Sequence, residues 1–260
     1  MTQAALLATA ISQFVAGCKT DGIWDPIKAC CIMAAWDGLN GALYPLKGAA
    51  PTNYNFVAGD YDRETGLKGN GSTKYLDSNR ANNADPQNSQ HLATNGTSDA
   101  STHPMFFIGA GGGNSGRSNL FRSTTDSVAS SRNAINSGIL PGSGFGDSFM
   151  AVSRASSSGY SVRMNGNDYT ITQASQSPTS DNIFVFCRNN GSGTPEFFTD
   201  NRLAFYSIGE SLDLEKLDTR VTRLIQQTAF SINTGLDGSI YDIDTLRYVN
   251  AGYAAGGTLT

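Results

Sequence analysis

Residues 55–77, NFVAGDYDRETGLKGNGSTKYLD, constrain the fold more than any other stretch of the chain. Gly66, Gly69 and Gly71 cut it into short apolar pieces, with Leu67 in one and Tyr75-Leu76 in the next. A helix loses about 1 kcal/mol for each interior glycine relative to alanine. Strands, by contrast, use glycine for bulges and tight bends. The stretch therefore predicts β structure. Composition agrees: charged residues are 15% of the 260, and there are 29 glycines. Surface polarity must then come from Ser, Thr and Asn, which suits short strands joined by turns and not a helical bundle.

Read in order, residues 2–16 carry Leu6, Ala10, Ile11, Phe14 and Val15 at helical spacing, with Gly17 as a stop. Asp25-Pro26 looks like a helix cap and first position, opening a second helix through Ile27, Cys30, Cys31, Met33 and Trp36. Residues 42–51 form an extended linker. Strands are expected at 90–95, 105–108, 120–122, 128–135, 149–154, 160–164, 169–172, 183–187 and 203–208, with Asn165-Gly166-Asn167 as a short hairpin turn. Residues 212–227 give the clearest helix, from the spacing of Leu214, Leu217, Val221 and Leu224 with Asp213 and Glu215 at its start.

The run from Gly66 to Asp77 resembles the opening strand of the concanavalin A-like lectin/glucanase sandwiches, laminin-G-like domains included. Residues 202–212, RLAFYSIGESL, resemble their closing strand leading into a short helix. Residues 18–25 and 42–48 occurring with the 55–77 stretch are similar to modules of tailed-bacteriophage virion proteins. The resemblance spans about residues 14–225. It implies a mainly β chain: a two-sheet antiparallel jelly-roll sandwich, concanavalin A-like, with an N-terminal helical arm and a C-terminal helix. The expected division is 1–50 as helical arm and linker, 51–232 as sandwich with closing helix, and 233–260 as tail. The implied function is a non-enzymatic virion structural protein, made in the host cytoplasm, presenting a lectin-like module on a tail fibre for host-surface adhesion. Capsid decoration is the alternative, and a polysaccharide hydrolase is a third reading.

Net charge is −4 and basic residues are scattered, which excludes the clustered cations of a nucleic-acid surface. Arg117, Arg122, Arg132, Arg154 and Arg163 read as solvated strand faces. Cys18, Cys30, Cys31 and Cys187 match no zinc spacing and read as buried thiols. No stretch is long and apolar enough to span a membrane. The loop at 111–118 lacks the strand-to-helix setting of a phosphate loop. The carboxylates Glu210, Asp213 and Glu215 fall in the wrong order, and at a helix start, for a glucanase pair. Asp60, Asp62, Asn82, Asn83 and Asp85 are as well explained by Asx turns as by calcium, so neither metal nor cofactor is expected.

Sugar binding calls for aromatic platforms beside exposed amides. Tyr160, Asn165, Asn167 and Tyr169 near the hairpin tips are the candidates. The apolar arm residues Phe14, Ile23, Trp24, Met33 and Trp36, with Leu246 and Tyr248 from the tail, must be covered, since each large side chain buried contributes about 1.5–3 kcal/mol. They predict either folding back on the sandwich or a subunit seam. A symmetric homotrimer with other virion chains as partners is the expected assembly.

Overall fold

The computed structural model describes residues 3–98, 104–112, 115–123, 128–135, 137–140 and 148–233. In chain order the elements are α1 (Gln3–Thr20), β1 (Ile27–Ile32), α2 (Leu39–Ala42), β2 (Pro45–Lys47), β3 (Thr52–Tyr54), β4 (Tyr61–Asp62), β5 (Gly66–Lys68), β6 (Tyr75–Ala81), β7 (Gln90–Gly96), β8 (Met105–Ala110) and β9 (Arg117–Arg122). They continue with β10 (Val128–Ala134), β11 (Gly138–Leu140), β12 (Phe149–Arg154), β13 (Gly159–Met164), β14 (Asn167–Thr172), β15 (Asn182–Val185), β16 (Arg188–Asn189), β17 (Pro195–Glu196), β18 (Arg202–Gly209) and α3 (Leu214–Asn233). One sheet has the order β14-β13-β12-β7-β18-β1-β2, with β5 and β4 attached at β18. The facing sheet runs β11-β10-β9-β8-β15-β6-β3. The main ladders of both sheets are antiparallel. The expected two-sheet sandwich with a helix from each end of the chain is what forms.

Alternation sorts side chains between two cores. Leu92, Val152, Val162, Leu203 and Ile208 point between the sheets and meet Phe107, Leu120 and Val185 from the opposite side. Ile27, Cys30, Ile32, Ala93, Ala151 and Phe205 point outward from the first sheet. There they are covered by Ala10, Phe14 and Cys18 of α1 and by Leu214, Leu217, Val221 and Leu224 of α3. Phe14 meets Phe205 edge-on, with ring centroids 6.0 Å apart.

The expected second helix is a strand. Ile27–Ile32 pairs with β18 on one side and β2 on the other, so the segment lies inside the sheet with both faces covered. A strand of that kind is apolar at successive positions, which is the pattern read as a helix with several buried faces. This also corrects the division at residue 50, because β1 and β2 belong to the sandwich. The arm residues are covered within one chain: Phe14, Ile23 and Met33 are buried, and Trp24 and Trp36 pack against the two cores. That removes the reasoning that led to a trimer. Leu246 and Tyr248 lie outside the described residues.

Two arginines read as solvated are fully buried at one end of the sandwich. Arg132 donates to Asn82 Oδ1 at 2.8 Å and to the His91 carbonyl at 3.3 Å. Arg154 donates to the carbonyls of Arg132, Ser156, Gly159 and Gln173 at 2.7–3.1 Å. These hydrogen bonds offset much of the cost of charge this deep; Arg132 Nε finds no partner among the described residues, and burial pushes the Arg132 pKa down to about 9. His91 lies between the Glu210 carbonyl and Ser207 Oγ, each 2.6 Å away. Burial pushes its pKa down to about 3 from an ordinary 6.5.

The unfolded chain takes up this proton near pH 6.5 and the folded chain only near pH 3. His91 therefore costs no stability above the first value. Between the two, stability is lost as pH falls, by up to about 1.4 kcal/mol per pH unit. The variant His91→Gln is expected to be less stable at neutral pH but to lose that slope, as read from urea unfolding midpoints across the window.

Candidate functional site

The helix pair does not cover the whole first sheet. α3 crosses β12 and β13 and leaves the outer face of β14 open. The hairpin joining β13 and β14 turns on Asn165 and Gly166, both at positive φ (51° and 74°), and pairs Met164 with Asn167 across a two-residue loop. This geometry belongs to the turn that Asn-Gly favours. The register it sets makes Arg163 face Asp168, and Ser161 face Thr170. In the next ladder Ser153 faces Ser161. A row of hydroxyls, Ser153–Ser161–Thr170, thus crosses three strands at roughly 4.8 Å steps.

α3 supplies the opposite wall. Its start is held down by Ser153, whose hydroxyl donates to the Leu212 carbonyl at 2.9 Å and accepts from the Leu212 amide at 3.1 Å. Asp213 caps the helix by accepting the Lys216 amide at 3.1 Å. Between helix and hairpin runs a groove of about 490 Å³ lined by Ser153, Ser156, Ser161, Asp168, Thr170 and Glu215 among others. At its rim, Arg154 ties the Ser156 and Gly159 carbonyls to that of Gln173. A second groove of about 480 Å³ continues past the hairpin tip, lined by Asn95, Ser148, Asn165, Asp218, Thr222 and Gln226 among others.

Arg163 divides the two. Its Nε donates to Asp218 Oδ2 at 2.7 Å and its Nη1 to both oxygens of Asp168 at 3.0 Å. Thr222 Oγ1 donates to the other Asp218 oxygen at 3.0 Å. Burial opposes the Arg163 charge, but the bonds to Asp218 and Asp168 outweigh it and hold the guanidinium above its usual range. Asp168 remains 64% exposed, while the Arg163 and Asp218 side chains are 10% and 13% exposed.

Of the expected ligand residues, Asn165 and Asn167 stand exposed at the hairpin, Asn165 beside the second groove. Tyr160 and Tyr169 both line the first groove, but neither stands out from it as an exposed platform. Tyr160 is buried, with its hydroxyl on the Ser130 carbonyl at 2.7 Å and its ring under Arg154 at 5.2 Å. Tyr169 is half-buried and packs against the inter-sheet core. The alternation in Tyr160-Ser161-Val162-Arg163-Met164 carries the signal for this, since Tyr160 shares a face with Val162 and Met164. Ser161, Asp168 and Thr170 were missed, although they are the polar members of the same two strands. An aromatic stack that does reach the surface lies at the edge of the facing sheet. There Tyr54, 40% exposed, lies flat on Tyr75 at 4.3 Å.

Elsewhere, Glu210 pairs with Lys28 at 2.9 Å. Asp62 accepts the backbone amides of Glu64 and Thr65 in a tight turn. Asp60 pairs with Lys74, and Asp85 with Arg80. Among the described residues no three His, Cys, Asp or Glu side chains converge as metal ligands, and no helix is long and apolar enough to cross a membrane.

No family model matches the chain, and no curated protein matches it. Solved structures do. A Trypanosoma rangeli sialidase mutant displaying trans-sialidase activity is 13% identical with a TM-score of 0.49, over 77% of this chain and 34% of that one. A mutant NanB sialidase from Streptococcus pneumoniae is 11% identical with a TM-score of 0.41, over 53% of this chain and 24% of that one. The Ruminococcus gnavus IT-sialidase CBM40 bound to α2,3-sialyllactose is 14% identical with a TM-score of 0.40, over 52% of this chain and 82% of that one. The chain thus spans about a quarter to a third of the sialidase chains it matches. The likeness is one of β-sandwich fold. Where a bacteriophage virion protein was expected, the similar structures are instead sialidases and a sialidase CBM40.

Removing Arg163 leaves Asp218 enclosed without its partner. Arg163→Ala is expected to cost about 3 kcal/mol. Asp168→Asn, at the exposed side of the same bridge, should cost under about 1 kcal/mol. Urea unfolding of both variants checks the order.

Proposed function

We propose that this chain is a non-catalytic carbohydrate-binding sandwich that takes a glycan in the cleft between α3 and the β13–β14 hairpin. The observation that carries this reading is the pair of exposed hydroxyls Ser161 and Thr170, set beside Asp168, Asp213 and Glu215 on a surface the helices leave open, with Ser153 behind them holding the helix start. Sugar hydroxyls both donate and accept. Serine and threonine hydroxyls do the same, and carboxylates accept strongly. A rigid strand surface holds such groups at fixed spacing, so little side-chain order is lost on binding.

The non-catalytic part rests on where the carboxylates sit. Glycoside hydrolysis needs a proton-donating carboxyl in an apolar setting opposite a second carboxylate. Here the Asp168 side chain is 64% exposed and tied to Arg163, and that of Asp213 is 49% exposed and caps a helix. Both are placed to accept hydrogen bonds from a ligand.

Display of the full chain on a glycan array, followed by calorimetry on the best ligand, tests the reading. Ser161→Trp and Thr170→Trp each fill the groove from an exposed strand position and should lower affinity at least about tenfold. Unchanged affinity in both variants would place the glycan elsewhere, with the Tyr54–Tyr75 stack the next surface to examine.

A further inference from the structure

The two grooves share both walls. Along α3, Glu215, Asp218, Thr222 and Gln226 recur at three- and four-residue steps, so they form one polar stripe beside the buried Leu214, Leu217, Val221 and Leu224. Glu215 lines the first groove, and Asp218, Thr222 and Gln226 line the second. From Glu215 to Gln226 the stripe runs about 16 Å at 1.5 Å per residue. The other wall is the hairpin. Asp168 and Thr170 stand over the first groove, and the turn at Asn165-Gly166 stands over the second. Its strand β14 extends about 17 Å at 3.4 Å per residue. The walls are matched in length, and Arg163 bridges them between the two grooves, its Nε on Asp218 and its Nη1 on Asp168.

Resting on the glycan-binding reading, we infer that the grooves are successive subsites for one linear, uncharged oligosaccharide. The charge of the ligand follows from the described lining. Asp168, Asp213 and Glu215 border the first groove, and Asn95, Asn165, Thr222 and Gln226 supply neutral amides and a hydroxyl to the second. The guanidinium between the grooves is already shared by two carboxylates. An acidic sugar would meet like charge in the first groove, whereas neutral hydroxyls meet acceptors throughout.

The test is calorimetry of the full chain against neutral ladders of cello-, malto- and manno-oligosaccharides, from monosaccharide to hexasaccharide, with α2,3-sialyllactose as the acidic comparison. Affinity on one ladder should rise at least about tenfold from the disaccharide to the longer members. Gln226→Trp, which fills the second groove from an exposed helix position, should abolish that rise and leave the disaccharide unchanged. Thr170→Trp should weaken every member. Affinity that does not grow with length, or that ignores Gln226→Trp, overturns the shared cleft while glycan binding stands. Preference for sialyllactose overturns the neutral class. Silence toward all ligands, here and on the array, overturns the glycan reading itself.

Discussion

The outward face of β7, β18 and β1 is apolar, and the architecture follows from having to cover it. Ala93, Phe205, Ile27, Cys30 and Ile32 would lie in water on a bare sandwich, and α1 and α3 are the only described elements long enough to cover them. Both helices are needed. α1 brings Phe14 onto Phe205, while α3 brings the leucine stripe, and Asp21 of the turn after α1 grips Arg220 of α3 at 2.7 Å. The helices stop where the apolar surface stops. Beyond Ala151 the outward residues are polar: Ser153 and Arg163 hydrogen-bond the start and side of α3, and Ser161, Asp168 and Thr170 lie exposed, with nothing to gain from a hydrophobic cover. The cleft is the margin left by that boundary.

Polar side chains then give the margin a defined shape. Arg154 works from inside the sandwich, closing the turn after β12 onto the end of β14 through carbonyls. Arg163 works from outside, fixing the gap between hairpin and helix. Ser153 sets the height of the helix start above the sheet. Each is a hydrogen-bond device acting over a short range, and together they hold two elements apart that hydrophobic packing alone would draw together. Satisfied networks of this kind confer rigidity.

Much of this was readable from the residues. Strict alternation in Gly159–Met164 and Asn167–Thr172, with Asn-Gly between them, defines both strands and their register, and so implies that Arg163 faces Asp168. The α3 stripe was equally plain. Ile27–Ile32 was not, because a strand buried on both faces has no alternation to see, and Asp25-Pro26 ahead of it mimics a helix start. The buried Arg132 and Arg154 were illegible for another reason: their partners are mostly main-chain carbonyls, which leave no mark in a sequence. The Asp218 contact with Arg163 depends on how a helix docks on a sheet, a relation between positions 55 residues apart. Tyr160 and Tyr169 line the first groove with their rings turned toward the inter-sheet core, a direction that strand parity carries and ring chemistry does not.

The pairing of β1 with β18 has a consequence for how the protein comes into being. Ile32 lies against Phe205 in the ladder, so the apolar Ile27–Ile32 segment leaves the ribosome long before its neighbour is made. Such distant pairings form slowly, since the loop-closure entropy must be met before any contact repays it. Through that interval a two-faced strand with open edges is the kind of surface that recruits other chains. α1, formed locally and early, is the nearest cover available to it. In the folded chain Ala10, Phe14 and Cys18 of α1 belong to the same buried cluster as Cys30 and Ile32.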